Sequence, residues 1–363
     1  MSAAPPLNAK PLDPRAVLRH VDAVLGEFLQ GKAAAARSRG LPADPAQMLE
    51  RFVSTGGKRL RPMLCVLGWR AATRTPPTKA VVRVAAALEM FHAFCLIHDD
   101  IIDNSATRRG SPTVHRALTK RHAIGRPGSL AERLGTSCAL LVGDLALAWT
   151  DELLHTAGLT GQQFAAVLPV LDVMRTEVIY GQYLDVTATG LPTADLERAV
   201  TIIHHKTAKY TMERPLHVGA ALAGAPPELM RELSSCALPL GEAFQLRDDL
   251  LGVFGDPQIT GKSRLEDLRA GKHTALVALA MRDAAPRHAA ALQRLVGNPH
   301  LTEPEAAQVR DILTVSGARR QVEDMITERR AQVLRLLKSP NAIPPEAAHA
   351  LSVLAETATR RTS

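Results

Sequence analysis

The sequence predicts an all-α fold, and three observations carry that expectation. Apolar residues recur at three- and four-residue steps along almost the whole chain. Nowhere is there the sustained period-two alternation of a half-buried strand. Aromatic residues make up only 3% of the composition, and an apolar content carried by Ala, Leu and Val suits close-packed helices better than a β-sandwich. With 46% hydrophobic and 22% charged residues in a chain of 363 and a mean hydropathy of −0.01, the composition is that of a soluble globular protein. The length could hold two domains at about 150 residues each. No composition shift marks a linker, so residues 15–363 are expected to form a single helical domain.

Residues 1–14 hold four prolines and few large apolar side chains, which predicts a disordered tail. A first helix follows from Arg15, with Val17, Leu18, Val21, Val24, Leu25 and Phe28 on its apolar stripe and Gly40 as its stop. Further helical patterns run over 60–73, 78–104, 131–157, 161–188, 194–223, 227–254, 273–293, 304–315 and 319–337. Breaks fall at Pro76-Pro77, across 108–128, at Gly190-Leu191-Pro192, at Pro226-Pro227 and across 255–271.

The balance of 44 basic and 36 acidic residues gives +8, which suits nucleic acid, an anionic surface or phosphorylated small molecules. Single-strand nucleic-acid binding needs stacking aromatics among the basic residues, and the composition argues against a nucleic-acid partner. Cys65, Cys95, Cys138 and Cys236 are far apart with no CxxC spacing, as expected of reduced thiols inside the cell. The N-terminus lacks the pattern of a signal peptide, and no run of about 18 apolar residues is evident. The expectation is a cytoplasmic protein without a transmembrane span.

Two aspartate pairs lie about 150 residues apart in similar helical contexts. In the first, Asp99 and Asp103 are one helical turn apart and share a face, an arrangement that is unfavourable by a few tenths of a kcal/mol unless a cation bridges it. Asp248 and Asp249 end a second largely apolar helix. Carboxylates on two such helices would hold Mg²⁺ and leave coordination positions for phosphate oxygens. Cationic groups flanked by glycine, at 56–61 and 108–110, with Lys206 and Lys262, supply partners for the same phosphates. His204-His205 is expected on a helix surface, and Arg319-Arg320 and Arg329-Arg330 on a solvated face.

These motifs, GGKRLRP at 56–62, FHAFCLIHDDIID at 91–103, RRGSPTVH at 108–115, GDLAL at 143–147, GQYLD at 181–185, HKTAKYTMERPL at 205–216 and QLRDDLLGVFGD with TGK at 245–262, resemble the trans-isoprenyl diphosphate synthases, or polyprenyl synthetases. The resemblance implies a bundle of antiparallel helices around a deep central cavity, with the two aspartate motifs on opposite walls near its mouth. It implies Asp99, Asp103 and Asp248 as Mg²⁺ ligands, supported by Asp100 and Asp249. Arg108, Lys206 and Lys262 would hold an allylic diphosphate (dimethylallyl, geranyl or farnesyl). Lys58, Arg61, His92 and Arg109 would hold isopentenyl diphosphate. Thr207 and Gln245 would line the space where carbocation character develops, and the enzyme would be a homodimer. His98 reads as a structural histidine. The second motif departs from the common pattern, with Gly252 where many members carry a third aspartate.

Chain length in this family follows the residues before the first aspartate. Phe94 stands five positions before Asp99, Cys95 four and Phe91 eight, placing Phe94 about 7.5 Å and Phe91 about 12 Å along the helix. An aromatic at the fifth position, with the small Cys95 at the fourth, resembles enzymes that make geranylgeranyl diphosphate, with farnesyl diphosphate as the alternative. At 100° per residue Phe94 lies about 140° from Asp99, whereas Cys95 and Phe91 lie within about 40° and 80°, so Phe91 is expected to share the role.

Overall fold

Helices form most of the computed structural model, which describes residues 14–190, 192–256, 263–338 and 342–359. Lys262 and the tail before Pro14 lie outside the described residues. The chain divides into two compact units, Met1–Ala166 with Val218–Gly224, and Val167–His217 with Ala225–Ser363.

The first unit contains α1 (Pro14–Ser38), α2 (Asp44–Ser54), α3 (Leu60–Thr73), α4 (Lys79–Ile102), α5 (Val114–His122) and α6 (Gly128–His155). A two-stranded hairpin, β1 (Thr107–Arg108) and β2 (Ser111–Pro112), interrupts them. α4 is its central element, with Met90, Phe91 and Ile97 wholly buried. It starts at Thr78, whose hydroxyl accepts from the Val81 N–H at 3.3 Å, a side-chain N-cap. α6 carries buried small residues along its length: Gly135 lies against the α5 backbone at Thr119 and His115, and Gly143 faces α4. A Cβ at Gly143 would stand 2.4 Å from the His98 ring, so glycine here is what lets that imidazole lie against α6.

α4 also corrects one expectation. It is long and apolar enough to cross a membrane, with a mean hydropathy of 1.8 over its most apolar stretch. Arg83, Glu89 and His92 interrupt the run, yet its average stays at 1.8 with them included. Of that stretch 67% is buried inside the fold, and Glu89 within it is ion-paired to Arg59. Its apolar character is accounted for by core packing.

The second unit runs from most of α7 (Gly161–Ala188) through α8 (Leu196–Ile202), a π-helix (Ile203–Glu213) and the start of α9 (Arg214–Leu222), whose residues from Val218 on belong to the first unit, and resumes with α10 (Pro227–Phe254). It continues with α11 (Glu266–Ala270), α12 (Ala275–Asp283), α13 (Pro286–Leu295), α14 (Glu303–Val315), α15 (Ala318–Lys338) and α16 (Pro345–Thr359). Its core joins Leu246, Leu250 and Val253 of α10 to Leu276 and Leu279 of α12 and Val322 and Ile326 of α15. The pattern read over 273–293 is two helices: Ala284 and Ala285 are extended, as the residue before Pro286 prefers. Arg329, expected on a solvated face, is half-buried and tied to Glu242 of α10 at 2.6 Å, and His204 stands 3.5 Å from the same carboxylate.

Candidate active site

In the first unit the chemistry gathers where α4 ends. Asp99 lies in the last turn and Asp103 is the C-cap, still in helical conformation, so the two carboxylates share a face at the negative end of the helix dipole. That end favours a cation. The neighbouring Asp100 behaves differently. It is 1% exposed and is chelated by Arg108, whose Nε donates to both oxygens at 2.8 and 2.9 Å and whose Nη2 donates at 2.7 Å. Arg108 Nη2 also stands 3.6 Å from Asp99. Asp100 therefore fixes the arginine beside the Asp99 and Asp103 face.

Arg109 and Gly110, at φ +52° and +74°, form the two-residue turn that joins β1 to β2. Positive φ at both is the turn that matches strand twist, and it aims Arg109 at the glycine loop before α3. There its Nη1 donates to the Gly56 carbonyl. A Cβ at Gly57 would lie 2.8 Å from Arg109 Nη2, so the bare glycine makes room for the guanidinium. Arg59, 5% exposed, locks that loop by donating to Asp22 and Glu89, both at 2.8 Å, and to the Val53 carbonyl. Nothing in the sequence pattern separated this structural arginine from its neighbours Lys58 and Arg61. Burial, then the charges of Arg61, Arg108, Arg109 and Arg59, hold His92 neutral, well below the usual histidine range. Beside this cluster lies a cavity of about 470 Å³ lined in part by Arg51, Phe52, Thr55, Arg108, Arg109 and Ser111. The sequence reading did not single out Arg51 or Phe52.

Further back on α4, Phe91 is fully buried and its ring lies 5.4 Å from that of Phe94. Phe94 meets the His98 imidazole edge-on at 4.7 Å, while Phe94 and Cys95 are half-buried.

In the second unit Lys206 and Thr207 lie on the π-helix, a form that is rare and often found at functional sites. It is held closely from two sides. A Cβ at Gly181 of α7 would stand 2.4 Å from the Lys206 backbone nitrogen, and one at Gly241 of α10 would stand 2.4 Å from Ala208 Cα. Lys206 Nζ is 2.5 Å from Asp185, which is itself buried. Thr207 donates to Gln245 at 2.7 Å, and the Gln245 amide donates to Asp249 at 2.8 Å. Burial pushes the Asp249 carboxyl up to about 7; the Gln245 hydrogen bond opposes this, and the charges of Asp267 and Asp248 add to it. Asp248 lies on the same last turns of α10.

All of these candidate ligands are carboxylates, the donors that hard cations prefer. No group of three metal-ligating side chains is gathered among the described residues. Mg²⁺ is commonly held by one or two carboxylates with water and substrate phosphates completing its shell, so the aspartates present fit that ion.

Carboxylate pairs at helix ends and a cluster of arginines around a glycine loop are groups that suit divalent cations and phosphorylated substrates. The chain is a member of the polyprenyl synthetase family, whose model matches residues 44–313. A geranylgeranyl pyrophosphate synthase from Corynebacterium glutamicum, solved with isoprenyl diphosphate and magnesium, is 39% identical, with a TM-score of 0.91 over 96% of this chain and 100% of that one. Geranylfarnesyl diphosphate synthase of Aeropyrum pernix is 32% identical over 74% of this chain and 78% of its own length. The (2E,6E)-farnesyl diphosphate synthase of Mycobacterium tuberculosis is 32% identical over 73% of this chain and 68% of its own. The chain is thus a prenyltransferase of isoprenoid biosynthesis, of the short-chain isoprenyl diphosphate synthase type.

Proposed function

We propose that this chain is a Mg²⁺-dependent geranylgeranyl diphosphate synthase, joining isopentenyl diphosphate head-to-tail to an allylic diphosphate as a cytoplasmic homodimer and a single catalytic domain. The observation that carries the reading is the end of α4, where Asp99 and Asp103 share a face beside an arginine already fixed by Asp100.

Asp99, Asp103 and Asp248 would hold Mg²⁺, which when bound supplies positive charge to the diphosphate oxygens. Asp100 supports this by orienting Arg108, and Asp249 by anchoring Gln245. Arg108, Lys206 and Lys262 bind the allylic diphosphate. Negative charge builds on its leaving oxygen as the carbon–oxygen bond ionises, so cations aimed there bind the transition state more tightly than the substrate. Lys58, Arg61, His92 and Arg109 orient isopentenyl diphosphate, whose double bond attacks the allylic carbon. Neutral His92 can donate a hydrogen bond without adding a charge. Thr207 and Gln245 turn their dipoles toward the developing cation, and the released pyrophosphate accepts the departing proton.

For product length, half-buried Phe94 forms the floor and fully buried Phe91 backs it. An aromatic at that position with the small Cys95 beside it favours geranylgeranyl over farnesyl diphosphate as product. The homodimer is supported by large apolar side chains left in solvent: Leu140 and Leu141 on α6, and Ile179, Tyr180, Tyr183 and Val186 on α7. Equilibrium sedimentation at micromolar concentration should give a dimer.

The decisive experiment incubates purified protein with radiolabelled isopentenyl diphosphate, an allylic diphosphate and Mg²⁺, then chromatographs the dephosphorylated product. Geranylgeraniol is expected. A farnesol-sized product overturns the length assignment, and absence of turnover until a second protein is added overturns the enzyme reading in favour of a noncatalytic subunit.

A further inference from the structure

We infer that His98 is a positioning residue for product length, which braces the Phe94 ring and is itself seated on α6 by Gly143. The inference rests on the reading of Phe94 as the floor that stops the growing chain. Phe94 and His98 are one helical turn apart and share a face of α4. Side chains on a helix lean toward its N-terminus, so the imidazole leans back over Phe94 as Phe94 leans back over Phe91. Three rings therefore stand in a row: Phe91 to Phe94 at 5.4 Å, and Phe94 to His98 at 4.7 Å, edge-on with 64° between the planes. Phe91 is wholly buried and closes the deep side of the row. Phe94 is half-buried, and what keeps its ring from swinging aside is the imidazole on the side nearer Asp99.

A ring that merely touched Phe94 would give way with it. His98 is fixed from its far side by α6, where its Nε2 donates to the Leu140 carbonyl at 3.3 Å and stands 3.5 Å from Asp144 Oδ1. A Cβ on Gly143 would lie 2.4 Å from both Cδ2 and Nε2 of the imidazole, so the ring rests directly on the α6 backbone and any larger residue at 143 would evict it. The GDLAL run at 143–147 thereby acquires a part in specificity: Gly143 supplies the seat and Asp144 flanks it. Phe94 can move toward the mouth only if His98 leaves a second helix. The floor is thus carried by α4 and α6 together.

His98→Ala removes the brace and leaves Phe94 in place. With radiolabelled isopentenyl diphosphate and farnesyl diphosphate as primer, chromatography of the dephosphorylated products gives the ratio of chains longer than geranylgeranyl to geranylgeranyl itself. That ratio should rise about two- to tenfold, which is what the loss of one aromatic pair amounts to. His98→Phe, which returns a ring to the same place, should hold it near wild type. His98→Gln keeps an N–H for the Leu140 carbonyl but no ring, and should raise it as His98→Ala does. Gly143→Ala, which evicts the imidazole while leaving α4 untouched, should raise it as well. A purely structural histidine would lower the melting temperature and leave the ratio alone. A His98→Ala ratio equal to wild type while Phe94→Ala lengthens the product overturns the inference alone, and so does loss of all turnover in His98→Ala, which would assign the imidazole to the cation site instead. If Phe94→Ala also keeps the wild-type ratio, the reading of Phe94 as the floor is overturned together with it.

Discussion

Gly57→Ala is expected to raise the KM for isopentenyl diphosphate with little change in kcat, because the added methyl displaces Arg109. The Cβ would stand 2.8 Å from Nη2 and 3.1 Å from both Cζ and Nη1 of Arg109, so the guanidinium must leave its place. Hydrogen bonds from a charged group contribute about 1.5–3 kcal/mol; at 1.4 kcal/mol per factor of ten, losing those to a phosphate predicts a KM increase of about ten- to a hundredfold. Backbone strain is a competing cause, since Gly57 has φ +138° and a side chain there adds about 1–3 kcal/mol. Gly56→Ala separates the two. Gly56 is also at positive φ, +95°, but nothing lies within 4 Å of its Cβ position, so that variant carries strain without displacing Arg109. Steady-state kinetics with isopentenyl diphosphate varied and the allylic substrate saturating, together with urea unfolding, gives both quantities. The reasoning is refuted if Gly57→Ala keeps KM within twofold of wild type, or if Gly56→Ala raises it as much.

Asp99→Ala or Asp103→Ala should abolish turnover and leave the far-ultraviolet circular dichroism unchanged; without Mg²⁺ the unfolding free energy should rise slightly, by the few tenths of a kcal/mol that like charges one turn apart contribute. Near wild-type turnover at saturating Mg²⁺ would remove these residues from the metal site. Phe94→Ala should lengthen the product seen by chromatography. Phe91, wholly buried, is better probed by Phe91→Leu, because truncation to alanine would destabilise by about 3–5 kcal/mol; an unchanged product in both single variants and in the double variant places the floor elsewhere. Arg59→Met should lower the urea unfolding free energy by about 3–5 kcal/mol by leaving the buried Glu89 carboxylate without its partner. A loss under 1 kcal/mol would mean that the Arg59 ion pairs do not brace the glycine loop.

Long apolar periodicity bounded by proline or glycine proved readable: α3, α7 and α10 span 60–73, 161–188 and 227–254, as their patterns imply. Shorter or more polar helices did not show in the pattern. The pattern does not show α2, α5, α11 and α16; α11 lies inside the 255–271 break, and α5 lies inside the 108–128 break because basic residues crowd its last turn. The site divides in the same way. Motif residues were legible because their types and spacing carry chemistry, but adjacent aspartates look alike in a sequence, and only the fold shows Asp100 turned to Arg108 while Asp99 and Asp103 share a face. Arg51 and Arg59 reach their places through tertiary packing, which leaves no periodic trace.

The π-helix over 203–213 has a consequence for how this chain can change over evolutionary time. Gly181 and Gly241 leave its backbone no room to slide, so the directions of Lys206 and Thr207 are set by residue count as much as by residue identity. Removing one residue between Ile203 and His205 would swing both side chains by about a quarter turn around the helix axis, taking the amine from Asp185 and the hydroxyl from Gln245 in a single step. Exchanges of one side chain for another at the solvent-facing positions of this stretch should therefore be tolerated, whereas insertions and deletions of a single residue should be purged.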